Sequence, residues 1–529
     1  MHRDDDIKEK LLPTTVAPEG VDHVPRMKQE VGALPRVDDS RYSSGQLQLA
    51  AWLISIASFL WGYGVSVLNV CIVPDAKGSM LVDINMSTEE QETATALVLI
   101  GAALSAMLTG GISEKLGQRK AILVNNMFFI IGGAACALAV SKKAVFFGRF
   151  SIGIACGIVT NNAPILLNEI SPAHIRGRIT SYHQLNITLG MLVTSVLGYF
   201  VIEGVPSGWR YMNGFIAVPA IVQCVVSTLI PESPWWLMKN KGREESRASL
   251  VYLRDNPNRD DIDAELSEIT HDLESRADKG HGQWKDLRLH KLPMVIGCML
   301  VFFQAMTGIN TVMLYSAKIF HSAGITNPLF ATAAVSVTNV LTTIVSIHLI
   351  DTQGRRPLLL AGVSTMVVSL AMLSFSLLYL NKNRGAQGMI AVCSVLAFVA
   401  GFAISLGAAV WVVLVDITPV QIRSRAFAVF MGINYLCNIL VATYTLSAIS
   451  FLGRGPNPEK DGIAKLYLIC SGIALLSLLF VFCFVAETKE ARRKSNYRVP
   501  VDESRKTVEG NRLLTTEKDD PNPSNVTEL

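Results

Sequence analysis

Among the polar and aromatic side chains inside long apolar runs, seven are candidates to meet a ligand. They are the amides of Gln184, Gln304, Asn310, Asn339, Asn434 and Asn438, and the indole of Trp411. A ligand carrying hydroxyls around a weakly apolar ring needs neutral groups that both donate and accept, beside a flat aromatic surface. Asn434 and Asn438 are one helical turn apart and share a face. Gln304 and Asn310 would not share a face of a straight helix, but Gly308 between them offers a place for local unwinding. The competing reading of such amides is that they bond helix to helix. A second group is charged and sits at the ends of the runs: Glu169, Arg176, Glu232, Asp351, Arg355, Asp416, Arg423 and Glu487. His183 and His348 read as packing or hydrogen-bonding residues. Walker A, H-E-x-x-H and G-x-S-x-G patterns do not occur, which argues against an ATP-driven pump and the common hydrolases.

The elements that hold these residues are set by hydropathy. The chain has 529 residues, 50% of them hydrophobic and 17% charged, with a mean hydropathy of +0.37. A soluble domain carries about 25% charged residues. The apolar residues lie in runs of about 20, the length a helix needs to cross a bilayer. Twelve such runs are expected, with cores near 49–72, 93–112, 121–140, 145–167, 180–201, 211–230, 293–318, 328–350, 358–379, 389–414, 426–450 and 463–486. An even number puts both termini on one side. Basic loops at Lys115–Lys120, Arg176–Arg178, Arg355–Arg356 and Arg423–Arg425 make that side the cytosol. On this reading residues 1–45 are a disordered cytosolic tail with no signal-peptide core, and 46–230 a first six-helix bundle. Residues 231–290 form a cytosolic linker with helices, 291–488 a second bundle, and 489–529 a cytosolic tail.

The net charge of +4 comes without a basic stripe, so no nucleic-acid partner is expected, and the nine scattered cysteines suggest neither disulfides nor a metal site. Asn85-Met-Ser87 is a glycosylation sequon in an outer loop, whereas Asn186 lies in a span and Asn525 in the tail.

The two bundles repeat each other. Glu114-Lys-Leu-Gly-Gln-Arg-Lys pairs with Asp351-Thr-Gln-Gly-Arg-Arg-Pro. Glu169-Ile-Ser-Pro-Ala-His-Ile-Arg176 pairs with Asp416-Ile-Thr-Pro-Val-Gln-Ile-Arg423, and Glu232-Ser-Pro with Glu487-Thr-Lys. These motifs resemble those of the major facilitator superfamily and its sugar porter family. The likeness runs from about 50 to 490 through Gly148-Arg149, Gly153, Gly157, Pro164, Glu169, Arg176-Gly177, Gln184-Leu185, Pro231-Glu-Ser-Pro234 and Gln304…Gly308-Ile-Asn310 with Tyr315. It implies an all-α membrane fold of two pseudo-symmetric six-helix bundles. It also implies alternating access for a small sugar, without a cofactor, in a lipid bilayer.

By resemblance, Gln184, Gln304, Asn310, Asn339, Trp411 and Asn434 contact sugar, and the eight charges pair between bundles in one state and part in the other. The chain departs from the family at Gln118, where an Arg is usual, and at Trp235. Helix ten also departs, with Ala403, Gly407, Ala408 and Val410 where Glu, Gly, Pro and Pro are common.

Coupling to protons needs a titrating group in the pathway. The family's helix-one acid falls on Gly64 in Trp61-Gly62-Tyr63-Gly64, the helix-ten acid is absent at Ala403, and Glu169 and Glu203 are at span ends. The expectation is a facilitative hexose uniporter of the plasma membrane, with no acid in mid-membrane. Other readings are a proton-coupled sugar, polyol or inositol symporter, a non-transporting sugar sensor, and an endosomal, lysosomal or vacuolar address suggested by Leu513-Leu514. Oligomeric state is left open.

Overall fold

The computed structural model describes residues 44–74, 76–172, 175–254, 259–278, 287, 290–322, 327–379, 384–419, 422–454 and 457–485. Expectations for the two tails and for Glu487 lie outside these residues. Twelve helical segments are long and apolar enough to cross a membrane, and the chain is a multi-pass membrane protein. Large apolar side chains such as Met107, Phe200, Leu341, Phe375 and Leu479 face outward. Helices satisfy their own backbone groups, so lipid can take these faces at no hydrogen-bonding cost.

Helix α1 (Gly45–Cys71) starts at the N-cap Ser44, whose hydroxyl accepts from Gln46 and Leu47. The short α2 (Met80–Asp83) leads to α3 (Thr88–Leu116). The span begins five residues before the core expected at 93. Ser87 and Glu90 form a reciprocal capping box that satisfies the first free N–H groups. Spans α4 (Gln118–Ala137), α5 (Lys142–Ile170) and α6 (Arg176–Gly204) follow. The sixth span is broken into α7 (Gly208–Gly214) and α8 (Ala217–Val226) ahead of Pro219. Hydrogen bonds from Ser207 and Trp209, with Arg210 close by, hold the Asp83 carboxyl below its usual range and tie the α1–α3 connection to α7.

The linker carries α9 (Pro234–Asn240), α10 (Arg243–Leu253) and α11 (Arg259–Asp278), packed through Leu250, Ile262, Leu266 and Ile269 with Trp235 and Met238. It is anchored to the first half. Arg254 donates to the Ile170 carbonyl (3.0 Å) and pairs with Glu265 (2.6 Å), and Trp236 donates to the Glu114 carbonyl.

In the second half, span seven is α12 (Lys291–Met306) and α13 (Ile309–Ser322), interrupted at Gly308 with φ +95°. An added Cβ there would lie 2.9 Å from Cys470 Sγ, so both the backbone angle and the space require glycine. This is the break expected between Gln304 and Asn310. Then come α14 (Pro328–Gln353), α15 (Arg355–Tyr379) and α16 (Arg384–Phe402). A π-helical stretch at Ala403–Gly407 leads into α17 (Ala409–Ile417), followed by α18 (Arg423–Leu452) and α19 (Pro458–Phe484). The sequence repeat is visible in the backbone: Gly117 and Gly354, at matched places before α4 and α15, have φ +89° and +94°.

Candidate transport site

We call the end of the bundle bearing the linker the linker end, and the end bearing the α1–α3 connection the far end. Four of the expected amides form one connected chain in the second half. Asn310 Nδ2 donates to Asn438 Oδ1 (2.5 Å), Asn438 Nδ2 to Asn434 Oδ1 (2.8 Å), and Asn434 Nδ2 to Gln304 Oε1 (3.1 Å). Gln304 Nε2 ends the chain on the Leu406 carbonyl (2.7 Å), in the π-helical stretch. The break at Gly308 lets α12 and α13 present Gln304 and Asn310 to the same face of α18. Trp411, one turn past the π stretch, is half-buried against the core.

The first half contributes less polar material. Gln184 is exposed, and lies eleven residues before Ser195, about three helical turns and so on the same face. Ser195 Oγ meets Ser336 Oγ of α14 at 2.7 Å, so Gln184 looks toward the second half. Asn339, three residues past Ser336, is buried, and its side chain makes no hydrogen bond to the described residues. The structure therefore joins Gln304, Asn310, Asn434 and Asn438 directly, and sets Gln184, Asn339 and Trp411 apart from that chain. His183 Nδ1 lies 2.7 Å from Ser58 Oγ, a packing bond between α6 and α1. Their crossing is close: a Cβ at Gly62 would come within 2.0 Å of the Ile187 carbonyl oxygen.

At the linker end, the contacts described for Glu169, Glu232 and Arg355 include partners in their own half. Gln118 Nε2 (2.7 Å) and Ser233 Oγ (2.5 Å) both donate to Glu169. Glu232 caps α4, accepting from the N–H groups of Gln118 (2.9 Å) and Arg119 (3.2 Å). Gly117 leaves the room this needs, since a Cβ there would lie 2.4 Å from Glu232 Oε2. In the repeat, Arg355 Nε lies 3.6 Å from Asp416 Oδ2, the matched pair with a cation in place of the amide. Arg176 opens α6 half-buried, with an Nε that has no hydrogen-bond partner among the described residues. Arg423 opens α18 and Asp351 lies in the last turn of α14, their side chains outside the description.

The far end holds groups that sequence reasoning missed. Glu92, 3% exposed, accepts from the backbone N–H (2.8 Å) and hydroxyl (2.6 Å) of Ser447 in the opposite half. The expected span began at 93 and left this acid in a loop. The Ser87-x-x-Glu90 capping box was the signal that could have placed it inside the helix. Asn69 of α1 donates to Ser316 Oγ (2.9 Å) and accepts from the Ala317 N–H (3.2 Å) of α13. Nearer the middle, the Tyr435 hydroxyl donates to Thr160 Oγ1 (3.3 Å). Arg149, 1% exposed, donates to the carbonyls of Gly64 (2.7 Å) and Ala94 (3.3 Å).

Twelve membrane-crossing helices in two repeated sets, with a connected chain of neutral amides in the second set, suit a membrane transporter rather than an enzyme. The family model "Sugar (and other) transporter" matches residues 50–494, and the chain belongs to this family, the sugar porters of the major facilitator superfamily. The facilitated glucose transporter member 3 of Canis lupus familiaris is 30% identical over 84% of this chain and 90% of its own. The galactose-proton symporter of Escherichia coli (strain K12) is 28% identical over 83% of this chain and 91% of its own. Among solved structures, the partially occluded inward-open conformation of the E. coli xylose transporter XylE superimposes with a TM-score of 0.70 at 25% identity. It covers 84% of this chain and 99% of its own.

Proposed function

We propose that this chain is a facilitative hexose uniporter, described here in an inward-facing state with the linker end in the cytosol. The observation that carries the uniporter reading is the setting of Arg149. Where a coupled porter would offer this cation a carboxylate on helix one, the chain offers the main-chain carbonyl of Gly64. A carbonyl cannot take up and release a proton, so this contact gives no proton-linked step. The inward-facing reading rests on the far-end bonds between the halves and on the exposure of Gln184. The basic loops at the linker end support the orientation.

The test is uptake of labelled hexose by the purified protein in liposomes. Equilibration down the sugar gradient is expected, with no accumulation above the outside concentration under an imposed inward proton gradient. Accumulation that collapses with a protonophore would replace the uniporter reading with symport. Glu92 and His183 would then be the residues to examine. Alanine at Gln184, Gln304 or Asn310 should weaken sugar binding by about 1–3 kcal/mol each, roughly 5- to 150-fold, in protein that still folds. Trp411→Ala should act comparably through loss of the ring surface.

A further inference from the structure

The amide chain has a direction. Each member donates its NH2 to the carbonyl oxygen of the next: Asn310 to Asn438, Asn438 to Asn434, Asn434 to Gln304. The last donates to the main-chain carbonyl of Leu406. An isolated amide can turn end for end at little cost, because its two ends differ only in donor and acceptor character. A backbone carbonyl cannot, since it only accepts. If Gln304 turned over, Oε1 would face the Leu406 oxygen, acceptor against acceptor, in a site where Gln304 is 7% exposed. The orientation of Gln304 is therefore fixed. It fixes Asn434, which fixes Asn438, which in turn fixes Asn310.

The consequence falls on the ligand. Asn310 has one NH2 proton committed to Asn438, and its Oδ1 accepts from none of the described residues. We propose that Asn310 presents a fixed hydrogen-bond acceptor to the sugar, so that the ligand must place a donating hydroxyl there. Asn434 and Asn438 then act as positioning residues that transmit this polarity from the Leu406 carbonyl. This deepens the hexose reading and rests on it. It states what the site asks of one hydroxyl, to donate rather than accept.

The experiment compares binding of glucose with its monodeoxy and monodeoxyfluoro analogues, position by position, to the purified full chain. Fluorine accepts weakly and does not donate. At a position read by an acceptor it should bind worse than plain hydrogen, because it repels the carbonyl oxygen. At a position read by a donor it should bind better. We expect one ring position where the fluoro analogue binds about 5-fold or more weaker than the deoxy analogue. Asn434→Leu cuts the chain, frees Asn438 and Asn310 to turn, and should bring the two analogues at that position to within about 2-fold of each other. Asn434→Asp keeps an acceptor for Asn438, so the fluorine penalty should survive in it.

A merely structural role for Asn434 would lower affinity for both analogues alike and leave their ratio unmoved. The proposal is overturned if no position prefers hydrogen to fluorine, if Asn434→Leu keeps the preference, or if Asn434→Asp loses it. Should Asn434→Leu fail to fold, the native panel and Asn434→Asp still decide. Failure of the native chain to bind glucose at all would instead remove the hexose reading beneath it.

Discussion

The two ends of the bundle use similar polar groups in opposite ways. At the far end, Glu92, Asn69 and Ser195 bond across to Ser447, Ser316 and Ser336, so the halves hold each other. At the linker end, the contacts described for Glu169 and Glu232 reach Gln118 and the start of α4, and Asp416 lies 3.6 Å from Arg355, so these described contacts tie a half to itself. The contrast bears on where the energy of a conformational change would reside. Bonds within a half survive when the halves rock, whereas bonds between halves must be exchanged. In the proposed transport cycle, the far-end contacts would set the population of the inward-facing state, and the within-half contacts the rigidity of the bodies that move.

The largest effect should come from the far end. Glu92→Gln puts an NH2 where Ser447 now finds two carboxylate oxygens, and loses charge-assisted bonds from a buried group. A shift of about 1.5–3 kcal/mol toward the outward-facing state is expected, roughly 10- to 150-fold in population. Spin labels at the exposed Glu89 and Ser450, in a background without reactive cysteines, would report it as a longer distance. An unchanged distance distribution would mean that Glu92 does not latch this end.

Glu232→Ala should act on rigidity instead. Two α4 N–H groups and that of Ser233 lose their acceptor, at a cost of about 1–2 kcal/mol in stability. The solubilised variant should unfold at a lower temperature, while the far-end distance stays put. If the distance moved as well, the linker end would also be setting the state.

Gln118→Arg restores in the first half the cation that Arg355 supplies in the second. It should tighten the bond to Glu169 by about 0.5–1 kcal/mol, seen as a modest rise in unfolding temperature with hexose affinity unchanged. The smallest effect concerns orientation alone. Asn85 is exposed just ahead of the α3 N-cap, whereas Asn186 is 6% exposed within α6. In a glycosylating host, Asn85 should carry the glycan and Asn85→Gln should lose it without loss of transport. Glycan on Asn525 would invert the assignment of the two ends.

The class of fold was legible in the order of the residues. Length and apolarity identify a membrane helix without reference to any neighbour, because the bilayer demands both. The repeat marked Glu169 and Asp416, and the loops that hold Gln118 and Arg355, as matched places but did not say which residues meet, and Gly308 announced the break in span seven through its own conformational freedom. Asn434 and Asn438 were legible as a pair because one turn of one helix relates them.

What depends on two helices meeting was not legible there. The acceptor of Gln304 is a main-chain carbonyl of the π stretch, and every residue has a carbonyl, so no side chain marks Leu406 in the sequence. Glu92 finds Ser447 some 355 residues away, and only the packing of α3 on α18 brings them into reach. Glu232 likewise serves a helix that began 114 residues earlier. Hydrogen bonds act over about 3 Å, while sequence patterns report only which face of one element a residue occupies, so such partners emerge only when the elements are packed.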